Sequence, residues 1–162
     1  MNRRQSGYSL VEILVVVAIV GIISLVTVPN FIALQRSSKL KSSLRNFVSD
    51  IRGMRQRAVT RHEQTKINFT TGTAATARGY TLWQNVGGTW THIGDKRLEE
   101  ACYFQSQTNF GGGSTGDIIF KSDGTPTLTG GAAGTVVLKT DWQIPTPQYT
   151  VTVTFSGAVK TE

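Results

Sequence analysis

Residues 3–31 read RRQSGYSLVEILVVVAIVGIISLVTVPNF, and this stretch decides the fold. A short basic leader is followed by an apolar run in which Glu12 is the one charged residue before Pro29. From Tyr8 to Phe31 the run is long enough to cross a bilayer as a single helix, which requires about 20 residues. A carboxylate buried in such a segment costs about 2.5–3.5 kcal/mol on insertion scales. Glu12 therefore requires a compensating partner.

Three kinds of segment combine a basic start with an apolar run. A secretory signal peptide ends in a small-x-small cleavage site, whereas residues 24–29 read SLVTVP. A plain membrane anchor explains the length of the run, but it explains neither Glu12 nor Gly7 at the polar edge. The third kind is a prepilin N-terminus, which these residues resemble closely.

Gly7 is followed by an aromatic residue, a hydroxyl residue, two aliphatic residues and a carboxylate, in the order YSLVE. This order resembles the N-terminus of type IV pilins and type II secretion pseudopilins, in which glycine, a cleavage point and Phe-Thr-Leu-Ile-Glu precede an apolar helix. Tyr8 stands for the usual phenylalanine and Ser9 for the usual threonine, so the ring and the hydroxyl group are both retained.

The resemblance implies two processing events and a role in assembly. A prepilin peptidase is expected to cleave after Gly7 on the cytoplasmic side, and the new amino group at Tyr8 is expected to be methylated. Glu12 is expected to pair with the terminal amine of a neighbouring subunit, because pairing stabilises two lone charges in a low-dielectric medium. Gly21 and Pro29 are expected to take part in filament assembly as well, and Pro29 to bend or loosen the preceding turn.

An amphipathic helix is predicted to follow the first apolar segment. Its apolar residues recur at steps of three and four, namely Leu40, Leu44, Phe47, Val48, Ile51, Met54 and Ala58. This stripe is expected to pack against a soluble domain. The predicted parts of the chain are a leader at 1–7, a transmembrane or filament-core helix at 8–34, the amphipathic half of the helix at 35–62 and a periplasmic β-domain at 63–162.

The amphipathic half carries a basic cluster. Nine cations and two anions lie between Arg36 and Lys66, a local excess that equals the net charge of +7 of the whole chain. A solvated face, or one that pairs with acidic neighbours in a filament, explains the cluster most simply. Anionic lipid headgroups and nucleic-acid phosphates are alternative partners, although no regular interleaving of aromatic residues supports base stacking. The candidate contact residues are Arg36, Lys39, Lys41, Arg45, Arg52 and Arg55.

The orientation in the membrane follows from two conflicting signals. The cluster after Arg36 flanks the apolar run more heavily than Arg3 and Arg4 do, and the positive-inside rule alone would place the large domain in the cytoplasm. The processing signature is the more specific signal. We therefore expect a single-pass protein of the bacterial inner membrane with its C-terminal domain in the periplasm.

From Thr65 onward short alternating runs rich in β-branched and aromatic residues replace the helical periodicity, and glycine-rich turns separate them. An α+β fold is predicted, in which the long helix packs on an antiparallel β-sheet domain. The predicted strands are Thr65–Phe69, Gly79–Gln84, Thr89–Ile93, Glu100–Phe104, Asp117–Lys121, Thr135–Thr140 and Tyr149–Phe155. The predicted core aromatics are Trp83, Trp90, Tyr103, Phe104, Phe120 and Phe155.

The sequence shows no catalytic constellation, and we expect neither an enzyme nor a cofactor or metal site. His62 and His92 lie in different elements and lack metal-ligand spacing with the single Cys102. Cys102 is expected to be a small buried hydrophobic residue. Residues 111–116, GGGSTG, match Gly-x-Gly-x-x-Gly, but they precede a predicted strand, whereas a dinucleotide fingerprint opens a helix.

The C-terminal part is similar to GspH/FimT-type minor pilins and pseudopilins. The similarity rests on the run RQRA at 55–58, the hairpin IFKSDG at 119–124 and a valine-rich last strand. It implies a minor pseudopilin of a type II secretion system, with other pilins, an assembly platform of the inner membrane and the lipid bilayer as partners. The alternative is a FimT-like minor type IV pilin in pilus assembly or DNA uptake. The tail GAVKTE lacks the Gly-Arg-x-Arg motif of such proteins, so DNA binding is not favoured.

Overall fold

The computed structural model describes residues 9–111, 114–129, 133–141 and 147–162. Within these residues the chain forms a long helix and nine β-strands. The chain divides into two compact units, Met1–Ser37 and Ser38–Glu162. The predicted α+β architecture, a helix with antiparallel sheets, is confirmed. Gly7 and Tyr8, the predicted processing site, lie outside the described residues.

Helix α1 spans Leu10–Arg61 and contributes to both units. Its helical assignment continues through Pro29. The helix ends in a turn at His62, which adopts a positive φ of 54°, and the N–H of Glu63 donates to the carbonyl oxygen of Ala58 at 3.2 Å. This 6→1 bond is the Schellman arrangement that satisfies an otherwise free carbonyl at a helix end. Over the described part of the chain, no helical segment combines the length and hydropathy that a bilayer crossing requires.

The strands form two antiparallel sheets, a division that the sequence did not predict. Sheet A has the order β3-β2-β1-β5-β6 and sheet B the order β4-β7-β8-β9. The strands are β1 Thr65–Thr70, β2 Gly79–Val86, β3 Thr89–Arg97, β4 Cys102–Thr108, β5 Thr115–Phe120, β6 Pro126–Thr127, β7 Gly134–Thr140, β8 Gln148–Val153 and β9 Val159–Thr161.

All seven predicted strands are present, with shifted bounds, and two short strands were missed. Strand β4 begins later than predicted because Ala101 adopts a positive φ of 65° and Cys102 N–H closes a turn onto the carbonyl oxygen of Glu99 at 3.0 Å. Strand β8 ends earlier than predicted because Thr154 N–H donates to the carbonyl oxygen of Ala158 at 2.9 Å, which starts a turn. Strands β6 and β9 have two and three residues, too few for an alternating pattern.

The core of the second unit lies between α1 and the two sheets. Every residue of the predicted helical stripe is buried, from Leu40 to Ala58, as expected. Phe47 of the stripe lies 6.1 Å from Phe69, 5.1 Å from Tyr80 and 4.9 Å from Phe104 between ring centroids. These spacings fall within the range in which aromatic pairs attract one another beyond simple burial. One helical side chain therefore contacts the aromatic residues of both sheets.

The predicted aromatic core was right in part. Phe104 and Phe120 are fully buried, and Tyr103 packs against the core while partly exposed. The prediction for Phe155 is wrong, because this residue lies in the turn after β8 and its side chain is 65% exposed. Trp83 and Trp90 are half-buried rather than in the core. Strand β2 buries the residues on either side of Trp83, so this side chain points to the outer face of sheet A.

Candidate functional site

The first unit presents an exposed apolar helix with a carboxylate in its first turn. Every large apolar side chain from Leu10 to Ile23 is at least half exposed. Glu12 lies in the first helical turn, where a negative charge interacts favourably with the helix dipole. Within the described residues its carboxylate has no hydrogen-bonding or ionic partner. Exposure of this much apolar surface beside a lone carboxylate is typical of a segment that is covered by another phase or another molecule.

Gly21 lies in the same helical segment and packs against none of the described residues. A Cβ atom at this position would meet no atom within 4 Å. Glycine in a helix interior costs about 0.5–1 kcal/mol relative to alanine. The packing of the described residues therefore does not require glycine here. One turn further on, the hydroxyl group of Ser24 donates a hydrogen bond to the carbonyl oxygen of Val20 at 2.7 Å, so it is satisfied within the helix.

The candidate cations of the amphipathic half divide into two groups. Lys39 Nζ lies 3.5 Å from Glu100 Oε2, an exposed ion pair of small energetic value. Arg55 is half-buried and bonded within the domain. Three others are exposed and have no hydrogen-bonding or ionic partner in the part of the chain that the structure describes, namely Lys41, Arg45 and Arg52. The side chain of Arg36 lies outside the described residues.

Arg55 joins α1 to two turns of the β-domain. Its Nε donates to the carbonyl oxygen of Gly124 at 3.1 Å, and its Nη2 donates to that of Ser156 at 2.9 Å. Both turns require glycine, since Gly124 and Gly157 adopt φ values of 80° and 75°. A Cβ atom at Gly157 would also lie 2.7 Å from Arg55 Nε. The guanidinium group is thus part of the fold rather than a free surface cation.

Arg45 and Arg52 border a groove between α1 and β9. The groove has a volume of about 390 Å³ and is lined by Leu44, Arg45, Val48, Ser49, Arg52 and Thr161. Leu44 and Val48 are buried at its floor, whereas both arginines are exposed at its rim. The groove is therefore apolar at its base and positively charged at its edge.

The opposite flank of α1 is held by a polar contact. The hydroxyl group of Tyr80 donates to Asp50 Oδ2 at 2.6 Å and links β2 to the helix. Burial raises the pKa of Tyr80, and the hydrogen bond and negative charge of Asp50 raise it further. A smaller groove of about 280 Å³ lies beside this pair, with Lys96 and Arg97 of β3 in its lining.

A second cluster on the outer face of sheet A was not predicted. Lys66 Nζ lies 4.9 Å from the ring centroid of Trp90 and 5.7 Å from that of Trp83. The ring of His92 contacts Trp83 at a centroid distance of 5.0 Å. Strand register explains the cluster, because Lys66 and His92 are the direct cross-strand partners of Trp83. Sequence spacing carries no sign of it, since the register is set by pairing between strands.

The other candidate residues are dispersed. His62 caps α1, and His92 Nε2 lies 2.9 Å from Asp95 Oδ1. Among the described residues no three His, Cys, Asp or Glu side chains come together as a metal site would require. Cys102 is free and buried, as expected, and burial raises the pKa of its thiol. Of the glycine-rich run, residues 112 and 113 are not described, and β5 follows at Thr115, so the run precedes a strand.

Two comparisons of sequence relate the chain to known proteins. Residues 2–28 match the prokaryotic N-terminal methylation motif. A segment of 45 residues is 42% identical to the type IV major pilin protein PilA of Myxococcus xanthus (strain DK1622). That segment is 28% of this chain, and it spans only 20% of the length of this curated relative.

Two solved structures resemble the fold. One is the minor pseudopilin EpsH from the type 2 secretion system of Vibrio cholerae. The alignment covers 76% of this chain and 96% of the EpsH chain, with a TM-score of 0.57 and 17% identity. The type IV minor pilin FimU of Pseudomonas aeruginosa (strain PAO1) matches 80% of this chain and 92% of its own, with a TM-score of 0.57 and 10% identity. The chain thus combines an N-terminal methylation motif with a pilin-like fold.

Proposed function

We propose that this chain is a minor pseudopilin of a type II secretion system. The observation that carries the proposal is a combination of two features. Residues 2–28 match the methylation motif, and the fold aligns with 96% of the solved chain of a minor pseudopilin. In this proposal a prepilin peptidase cleaves after Gly7, and the new terminus at Tyr8 is methylated. Residues 8–34 lie in the inner membrane before assembly and in the filament core after it. The β-domain lies in the periplasm.

Assembly in this proposal depends on the exposed segment of α1. Other pilins and pseudopilins cover the apolar side chains between Leu10 and Ile23, after an assembly platform of the inner membrane has brought them together. The carboxylate of Glu12 pairs with the terminal amine of a neighbouring subunit. Such pairing offsets the cost of holding either charge alone in an apolar medium. Gly21 allows a neighbouring helix to approach closely, as small residues do between membrane helices, and Pro29 belongs to the same contact.

A minor type IV pilin is the second candidate. The minor pilin FimU matches the fold with the same TM-score, 0.57, as the minor pseudopilin EpsH. Arg45 and Arg52 at the rim of the groove would also suit a pilus that takes up DNA, because they could contact its phosphates. The lack of a Gly-Arg-x-Arg motif in the tail weighs against a DNA-binding role.

The assembly step is tested by Glu12→Gln, which keeps the shape of the side chain and removes its charge. Glu99→Gln is the matched control, because Glu99 is an exposed carboxylate of the β-domain that follows β3. Cells should retain both variants in the membrane and cleave them after Gly7, as mass spectrometry of the new N-terminus would show. Cross-linking to neighbouring subunits should be lost in Glu12→Gln alone. Normal cross-linking of that variant would refute the assembly role.

The choice between the two systems is tested by deleting the gene in its own host. Loss of secreted proteins from the medium with pili retained supports the pseudopilin. Loss of pili with secretion retained would refute it and support the second candidate. An uncleaved N-terminus in wild-type cells would refute both.

A further inference from the structure

The groove between α1 and β9 ends at an open edge of sheet B. Strand β9 is the last strand in the order β4-β7-β8-β9. Thr150 and Glu162 exchange both of their backbone hydrogen bonds, and Thr154 N–H donates to Ala158. Because such pairs alternate along an antiparallel ladder, the N–H and C=O groups of Val159 and Thr161 point away from β8. No other strand covers them within the described residues.

The helical wall of the groove carries a matching pair of charges. Arg45 and Arg52 are seven residues apart, which places them two turns apart on one face of α1, at about 10.5 Å. Neither has an ionic partner in the described parts of the chain, and Glu162, next to the groove, forms no ion pair with them there. Asp50 is the one carboxylate between Arg45 and Arg52, and it accepts a hydrogen bond from the hydroxyl group of Tyr80 instead of pairing with them. The pair is therefore available to external carboxylates.

We propose that this groove binds an extended acidic segment of another protein subunit, which adds to sheet B as a strand beside β9. The outward backbone groups of Val159 and Thr161 pair with the incoming strand, as in recognition by β-strand addition. Carboxylates two or four residues apart lie on one face of a strand, about 7 or 14 Å apart. Arg45 and Arg52, about 10.5 Å apart on the helical wall of the groove, have side chains long enough to reach either spacing. Apolar side chains of the segment contact the floor formed by Leu44 and Val48.

The inference deepens the proposed function, since it names the chemistry of a neighbouring subunit in the filament. Its test does not depend on filament assembly. The probe is a fluorescent peptide, Thr-Glu-Val-Thr-Val-Glu-Thr, whose glutamates are four residues apart. It is titrated by fluorescence anisotropy against the full chain in phosphatidylcholine nanodiscs, which carry no net charge.

The expected result is saturable binding that Arg45→Glu and Arg52→Glu each weaken by about tenfold or more. Arg97→Glu is the matched control, because it makes the same charge change at an exposed position that lines a different groove, and it should change the affinity less than threefold. Circular dichroism verifies that each variant is folded. The Glu12→Gln variant should bind the peptide as the wild type does, so failure of the filament proposal leaves this result intact.

Two further probes separate strand addition from simple charge attraction. A peptide of the same sequence with N-methyl groups on alternate amides keeps both carboxylates but cannot pair with β9, and it should lose binding. A double-stranded DNA oligonucleotide should not compete with the peptide. Equal binding of the N-methylated peptide, competition by the DNA, or unchanged affinity in both arginine variants would each overturn the proposal.

Discussion

Replacing Arg55 by alanine should destabilise the β-domain, whereas the same change at Arg52 should not. Both residues lie in one basic run of α1, three positions apart. Arg55 donates to the carbonyl oxygens of Gly124 and Ser156, whereas Arg52 is exposed and has no partner within the described residues. The comparison isolates the hydrogen bonds, because charge and chain entropy change equally in the two variants.

The magnitude follows from the environment of each bond. Hydrogen bonds from a charged donor contribute about 1.5–3 kcal/mol, and the lower end applies here because one of the two bonds is exposed. Arg55→Ala should therefore lower the free energy of unfolding by about 2 kcal/mol. Arg52→Ala should change it by less than about 0.5 kcal/mol, as exposed substitutions usually do.

Urea titration of the full chain in detergent micelles measures both values. The fluorescence of Trp83 and Trp90 reports on sheet A, since both rings are half-buried in the folded state. With a urea m-value of about 1–3 kcal/mol/M, the Arg55 variant should unfold at a midpoint about 1 M lower. Equal midpoints for the two variants, or a larger loss in Arg52→Ala, would refute the structural role of Arg55.

Three further substitutions test the turn, the core and the helix flank. In thermal melts Gly157→Ala should lower stability by about 2–3 kcal/mol, because the new Cβ would lie 2.7 Å from two atoms. Gly88→Ala, with no atom within 4 Å, should cost only about 1 kcal/mol, from the positive φ alone. Phe47→Ala should cost about 3–5 kcal/mol in urea, against less than about 0.5 kcal/mol for exposed Phe155→Ala. The raised pKa of Tyr80 means that the folded state retains a proton that the unfolded state loses above about pH 10, so stability should fall with rising pH there, and less steeply in Tyr80→Phe.

Each of these comparisons has a contrary outcome. Similar melting temperatures for the two glycine variants would show that the turn at 157 adapts to a side chain. Similar urea midpoints for the two phenylalanine variants would contradict the central position of Phe47. Parallel alkaline stability curves for wild type and Tyr80→Phe would assign the loss to other groups.

The sequence predicts well what depends on local periodicity. Steps of three and four from Leu40 to Ala58 identified the buried face of α1, because a helix repeats every 3.6 residues. Alternation of apolar and polar residues identified the longer strands, because successive side chains of a strand point to opposite faces of the sheet. Strand β9, with three residues, is shorter than any alternating pattern. The groove that it borders could therefore not be predicted.

The sequence predicts poorly what depends on pairing between distant segments. Arg52 and Arg55 look alike in a basic run, and only the turns 69 and 101 residues further along the chain distinguish them. Trp83 was expected in the core because aromatic residues are usually buried there, but its position in the alternation of β2 places it outside. The residues that meet it, Lys66 and His92, follow from strand register alone.

The position of Phe47 between Phe69 and Tyr80 of sheet A and Phe104 of sheet B has a consequence for folding. Neither sheet can bury its aromatic residues until the helix has docked, so the two sheets should open and close as one cooperative unit. Amide hydrogen exchange should then show similar protection free energies for β1 and β7. During synthesis the helical stripe emerges first and remains exposed until the last strands are complete. The chain is therefore most vulnerable to proteases and to aggregation in the interval before β7 and β8 have been made.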